Sequence, residues 1–278
     1  MLGVMSDLLS GFEPAPQDLV LTLLGSYLRP RETAEVWSGG LVRVLGEFGF
    51  SAGAARVALN RLVSRDLLAR TRDGRHVHYA LTARSVAVLA EGDRRIFTLG
   101  SAPREETTWT VLWHWIPEER KLARTRLVRR LRFLGFGPVQ DGTWLAPHDR
   151  EQEVAKLLAE HEVSEYAGVL LGRPATSLDF AELVSRVWDL AELAERYRGF
   201  VATFGPHRAS LRDGREALLL CTRLVHTFRD FPFFDPELPV ALVPAPPHRA
   251  AALALFHELY PVLAERAGRY FDSATSTR

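Results

Sequence analysis

The sequence predicts an α+β chain of several domains, and three observations carry that prediction. First, 278 residues are long for one core, because domains usually hold about 100–150 residues, while an apolar fraction of 47% suffices to bury two or three units. Second, between Gly49 and Thr82 a stretch of helical periodicity is followed by two short runs around an Asp-Gly turn. Third, residues 109–171 read as strand, helix, strand, strand, helix, strand, after which only helical periodicity remains. We therefore expect three units, 17–98, 105–174 and 175–273, the last all helical.

Met1–Pro16 lacks periodicity, contains Gly3, Gly11, Pro14 and Pro16, and reads as a flexible arm. Asp18 is placed to cap a helix over Leu19–Leu28, which Pro30 ends. Arg31–Trp37 suits a brief extended segment. Ser38 is placed to cap Gly39–Phe48, with Leu41, Val42, Leu45 and Phe48 inward, and Gly49 stops it. Ser51 then caps a helix from Ala52 to Ser64. Ala55, Ala58, Leu59, Leu62 and Val63 fall on one stripe of it, and Gly53, Arg56, Val57, Asn60 and Arg61 on the opposite face.

That opposite face is narrow at its start and then offers guanidinium and amide groups. A helix entering the DNA major groove needs this, since small residues permit close approach, Arg pairs with guanine edges and Asn with adenine. An ordinary amphipathic helix with a solvated face has the same composition, and the hairpin next to it in the chain separates the two. Leu67–Thr71 and His76–Leu81 are joined by Arg72-Asp73-Gly74-Arg75, a tight-turn signal. Arg72, Arg75 and His76 cluster at the tip, where a wing meets phosphates or the minor groove. Helix, short strand, helix, turn, helix, hairpin is the winged helix-turn-helix order. The candidate DNA-binding residues are Ser51, Arg56, Asn60, Arg61, Arg72, Arg75 and His76. Thr82 is placed to cap a connecting helix, Ala83–Phe97, with Val86, Leu89 and Ala90 on one side, and Gly100–Thr108 marks a boundary.

Trp109–Ile116 is rich in aromatic and β-branched residues and reads as a buried strand. Pro117 suits the start of a helix running to Leu134, whose Ala123, Leu127, Leu131 and Leu134 face a sheet. Val139–Ala146 reads as a hairpin around Asp141-Gly142, Asp149 caps a helix over Arg150–His161, and Glu162–Leu171 forms a last strand. This is the ferredoxin-like order. The first of the two helices carries Arg120, Lys121, Arg124, Arg126, Arg129, Arg130 and Arg132. Two readings stay open for it, a solvated face and a phosphate-binding surface for DNA backbone or a phosphorylated small molecule. Ser177 is placed to cap Leu178–Arg198, and a further helix spans Gly214–Phe228. Phe231–Pro239 is too proline-rich for regular structure, and a last helix runs from His248 to Phe271.

The net charge of +1 says little, but its distribution says more. Residues 52–96 hold nine arginines against four acidic residues, whereas residues 151–278 hold fourteen basic and eighteen acidic ones. A basic reading head with a mildly acidic body fits a DNA binder carrying a separate assembly or sensing part. Cys221, the only cysteine, lies in an apolar run and reads as an inert core residue. His76 and His78 alternate on one strand without a third ligand nearby, and His226 and His257 fall on helices as packed or capped residues. No phosphate loop, nucleophile elbow or metalloprotease signature occurs, so we expect no catalytic residue, metal or cofactor. No apolar run reaches the ~20 residues of a membrane span and no secretion signal is present, so a soluble cytoplasmic protein is expected.

The chain resembles the PaaX-like regulators, the phenylacetate-degradation repressor family, over about Leu19–Phe271. The resemblance rests on several separated motifs in order: Glu35-Val36-Trp37, the run from Ala54 to Val63, Trp109-Thr110-Val111 with Pro117-Glu118-Glu119-Arg120, the run from Leu131 to Gly137, and Phe231-Pro232 with Asp235-Pro236-Glu237-Leu238-Pro239. It departs from the family at Pro246-Pro247-His248, where a Trp is usual. What the resemblance implies is a winged-helix head, a central domain similar to the Cas2 fold and a helical C-terminal domain. It also implies a homodimer that represses an aromatic-acid catabolic operon and leaves its operator on binding an aryl- or acyl-CoA such as phenylacetyl-CoA. On that reading Trp109, Trp113, Trp115 and Trp188 either form core or line a cavity for an aryl group, and the candidate effector contacts are Trp113, Arg124 and Arg129. The runner-up is a metal-dependent nuclease on the central domain, because Cas2-like folds can carry metal at an Asp closing the first strand. Here that strand ends His114-Trp115-Ile116-Pro117, with no carboxylate before Glu118 and Glu119.

Overall fold

The structure is a computed structural model that describes residues 8–101, 108–175, 179–208 and 214–276. Helix α1 (Pro16–Tyr27) opens on a proline, whose missing N–H costs nothing in a first turn. It starts earlier than expected, so Asp18 lies inside that turn, where its charge favours the helix N-terminus, and does not cap it. Strand β1 (Glu35–Trp37) leads straight into α2 (Ser38–Glu47), leaving Trp37 and not Ser38 at the cap position. Val44 joins Leu41 and Leu45 in the core in place of the expected Val42 and Phe48, which are half-buried.

Helix α3 (Ala52–Ser64) begins and ends where its pattern predicts, and Ser51 Oγ accepts from Ala54 N at 3.2 Å. Strands β2 (Leu68–Asp73) and β3 (His76–Leu81) pair with Asp73 opposite His76. The loop is therefore only Gly74-Arg75, two residues shorter than the sequence suggested, and Gly74 at φ 55° permits it. β1 joins β3 antiparallel, giving the order β1-β3-β2. Thr82 Oγ1 caps α4 (Ala83–Thr98) by accepting from Ser85 N; Ser85 is buried there, while Ala90 is exposed.

The second sheet is antiparallel with order β5-β6-β4-β7, built from β4 (Trp109–His114), β5 (Gly137–Gln140), β6 (Thr143–Pro147) and β7 (Ala167–Gly172). After Pro117 one 3-10 turn, Glu118–Arg120, precedes α5 (Lys121–Phe133). Helix α6 (Glu151–Glu160) follows Asp149, whose Oδ1 accepts from Glu151 N. Leu112, Trp144 and Ala146 on one sheet face pack with Leu127 and Leu131 of α5 and Val154 and Leu157 of α6. Trp109 and Leu145 on the other face pack with Val184, Phe180 and Trp188. Among the described residues, the cluster on that second face takes in Trp109, Val111 and Leu145 but not Trp113. The strand expected to be buried is so at Trp109, Thr110 and Leu112, whereas Trp113 at 41% and, just past its end, Trp115 at 58% are exposed.

The helix expected over Leu178–Arg198 is two, α7 (Phe180–Val187) and α8 (Leu190–Phe204). Asp179 accepts from Glu182 N and Asp189 from Glu192 N, so a second capping aspartate starts a second helix. Ser177 lies outside the described residues. α9 (Gly214–Phe228) has its expected bounds. The proline-rich stretch contains one short helix, α10 (Phe231–Phe234), with Pro232 in its first turn, and α11 spans Arg249–Thr275.

The chain forms two compact units, Met1–Arg95 with Ala202–Arg229 and Ala254–Arg278, and Ile96–Val201 with Asp230–Leu253. In the first, α9 and the later part of α11 pack on α1 and α2. Phe228 stacks on Phe256 at 3.8 Å, Tyr27 meets Phe271, Tyr27 Oη lies 3.1 Å from Thr222 Oγ1, and Gly40 abuts the Thr275 backbone. Of the expected flexible arm, residues 1–7 lie outside the described ones. The remainder is held, with Leu8 buried and Arg223 donating to the carbonyls of Leu8 and Ser10.

Candidate nucleic-acid interface

Four buried residues, Ala55, Ala58, Leu59 and Leu62, seat α3 against α1 and α2. With 3.6 residues per turn, burying that stripe turns Arg56, Val57, Asn60 and Arg61 outward, and all four are exposed. The side chains of Arg56, Asn60 and Arg61 have no hydrogen-bond or ion-pair partner among the described residues. The first turn presents Ser51, Ala52 and Gly53, so nothing bulky stands at the end that would approach a base edge. The hairpin of the same unit holds Arg72 and Arg75 exposed at its tip, with Arg72 Nε donating to Gly74 O at 3.1 Å. His76 is half-buried, its ring 6.0 Å from that of Trp37.

The residues singled out for an effector are not brought together. Trp113 shares a face with Trp109 and lies over Gly168, so closely that a Cβ there would meet its ring. Arg124 and Arg129 stand on α5, which covers the opposite face. Alternation along β4 makes this unavoidable. Trp109 and Trp188 are packing residues, 6.3 Å apart beside Phe180.

A cavity of about 420 Å³ occurs elsewhere in the same unit, walled by Leu190, Leu193, Leu238, Val240 and Val243 and closed at a polar end by Asp235, Glu237 and Arg249. Asp235 is the hub of that end. Its Oδ2 accepts from Tyr197 Oη and Arg249 Nε, both at 2.6 Å, and its Oδ1 from Glu237 N at 2.8 Å. Glu237 Oε1 accepts from Gly100 N. Burial, and then the Asp235 charge, raise the Tyr197 phenol far above its usual range, so it stays protonated and donates. Sequence reasoning missed this network; its one local trace is the Asp235-Pro236-Glu237 run.

Other titratable groups are packed. Burial, reinforced by Arg229, pushes His226 down to about 3, and its Nδ1 lies 2.9 Å from Thr22 Oγ1. Burial pushes Cys221 up to about 12, which keeps it a thiol. Glu118, the first carboxylate after β4, is occupied by Lys121 and Arg124. No cluster of three or more His, Cys, Asp or Glu that could hold a metal occurs among the described residues, and no described helix is long and apolar enough to cross a membrane.

The outward face of α3 thus gathers exposed arginine and asparagine side chains, and the hairpin of the same unit carries a basic tip. Three family models match in order along the chain: the PaaX-like protein over residues 15–85, the PaaX protein central Cas2-like domain over 103–184, and the PaaX-like protein C-terminal domain over 188–273. The chain is 27% identical over 236 residues to the transcriptional repressor PaaX of Escherichia coli K12, covering 82% of this chain and 73% of that protein. Its fold is similar to that of an uncharacterized protein from Mycobacterium tuberculosis, with a TM-score of 0.55 and 23% identity, covering 94% of this chain and 99% of the other. The chain belongs to the PaaX-like family.

Proposed function

We propose that the chain is a sequence-specific transcriptional repressor whose N-terminal unit is a winged helix-turn-helix reading double-stranded operator DNA. The observation that carries this is the outward face of α3, where Arg56, Asn60 and Arg61 stand exposed and unpartnered among the described residues. The element order around them and the E. coli relative's name as a repressor support it. Ser51, Arg72, Arg75 and His76 flank the reading helix. The central part, with its βαββαβ order, is ferredoxin-like, and along the sequence the regulator divides as 17–98, 105–174 and 175–273, the helices of the last being shared out between the two compact units. The protein acts in the cytoplasm as a homodimer, its two heads about 34 Å apart on a palindromic site.

Release from DNA is triggered by an aryl- or acyl-CoA such as phenylacetyl-CoA, the regulated genes belonging to aromatic-acid catabolism. The apolar walls and volume of the cavity closed by Arg249 suit the acyl portion of such a ligand better than the divided Trp113, Arg124 and Arg129 do. Gel shift at fixed salt on the chain's own promoter region tests the DNA reading. Arg56→Ala weakens binding by about 1–3 kcal/mol and relaxes base preference, whereas Arg75→Ala weakens all sequences alike. Unchanged affinity in both variants overturns the assignment. Adding phenylacetyl-CoA to the wild-type complex tests the effector, with release expected.

A further inference from the structure

Helix α5 is charged unlike its neighbours. In the same unit Arg186 pairs with Glu182, Arg196 with Glu192, Arg198 with Glu195 and Lys156 with Glu160, each three or four residues apart on one helix. These are the self-neutralising faces of ordinary surface helices. Lys121–Phe133 instead carries six cations in thirteen residues and no acid. Lys121 and Arg124 reach back to Glu118, and Arg130 lies 4.8 Å over the Phe133 ring. Arg126, Arg129 and Arg132 remain, all exposed and with no ion-pair partner among the described residues. They sit three apart along the helix, so each repels the next.

We infer that this outer face of α5 is a second contact surface for the phosphate backbone of duplex DNA, acting in addition to the reading head. The inference rests on the DNA-binding function proposed for that head. From Arg126 to Arg132 the helix rises about 9 Å, and one DNA strand carries a phosphate every ~3.4 Å of duplex axis, so three guanidinium groups spread over that length match two or three consecutive phosphates. All three arginines are exposed on the outside of one helix, which suits an extended polyanion. A phosphorylated small molecule needs a concave site, and the 420 Å³ cavity of this unit has no α5 residue in its lining.

The test is the salt dependence of binding to a duplex from the chain's own promoter region, comparing wild type with the triple variant Arg126→Gln, Arg129→Gln, Arg132→Gln. Glutamine keeps helix propensity and the positions are exposed, so folding is preserved. Arg186→Gln, which removes a cation already paired with Glu182, serves as control. The slope of log affinity against log salt falls by about 2–3 in magnitude in the triple variant, at roughly 0.9 per phosphate contact, and is unchanged in the control. Wild-type slope and affinity in the triple variant overturn the inference while leaving the head assignment standing. Intact DNA binding with lost response to phenylacetyl-CoA also overturns it, by assigning the face to a small anion. A wild-type chain that binds no duplex removes both readings.

Discussion

Replacing Asp235 with Asn keeps the shape of the side chain and removes only its charge. In the native chain this carboxylate is nearly inaccessible and accepts three hydrogen bonds, from Tyr197 Oη, Arg249 Nε and Glu237 N. The amide introduced by Asp235→Asn can still accept from Glu237 N, but its NH2 then faces the Arg249 donor. Breaking a buried ion pair from one side typically costs 3–5 kcal/mol, because the partner's charge stays desolvated. Arg249 retains Glu237 at 3.4 Å, which places Asp235→Asn at the lower end, about 3 kcal/mol. Tyr197→Phe removes one bond to the same carboxylate and costs less, about 1.5–2 kcal/mol. Urea unfolding followed by tryptophan fluorescence measures both, since Trp109, Trp113, Trp115, Trp144 and Trp188 all lie in the unit containing Asp235. A loss under 1 kcal/mol for Asp235→Asn, or one no larger than for Tyr197→Phe, refutes the view that this carboxylate ties Phe231–Pro239 to α8 and the start of α11.

Ser51→Ala leaves the Ala54 N–H without its cap and costs about 1 kcal/mol in thermal or urea unfolding, whereas Ser51→Thr keeps most of it. Gly40→Ala places a methyl group 2.5 Å from Thr275 Cα, a backbone atom that cannot rotate away, so a loss of about 1–3 kcal/mol is expected by the same measurement. His226 titrates near 3 when folded against 6.5 as a free side chain, so it contributes fully above pH 6.5, and its contribution is lost as pH falls and the unfolded chain takes up the proton. From pH 7.5 to 5.5 this group alone removes about 1.4 kcal/mol, and His226→Gln shrinks the measured pH dependence by that amount.

Much of the fold was legible because its causes are short-range. Ser51 at a cap, apolar residues every three or four positions and Gly49 ahead of them specify α3 to the residue, and Asp-Gly announced the hairpin. The β-α-β-β-α-β order followed from alternation and turn signals in the same way. Local reading failed where two signals overlapped. Ser177 and the apolar face of Leu178–Arg198 suggested one helix, but Asp179 and Asp189 each start their own. The tight pairing of Asp73 with His76 likewise shortened a loop that composition alone had lengthened.

What the chain's sequence determined by itself is the set of elements and which side of each is apolar, because backbone hydrogen bonds and side-chain periodicity act over a few residues. Which distant side chains meet was decided only by packing. Trp113 and Arg124 looked like partners in the sequence, yet a pleated strand sends alternate residues to opposite faces and α5 covers just one of them. Tyr197, Asp235 and Arg249 gave no sign of a shared site, since 38 and 14 residues separate them from the hub and only the folded unit brings their polar atoms within 2.6 Å.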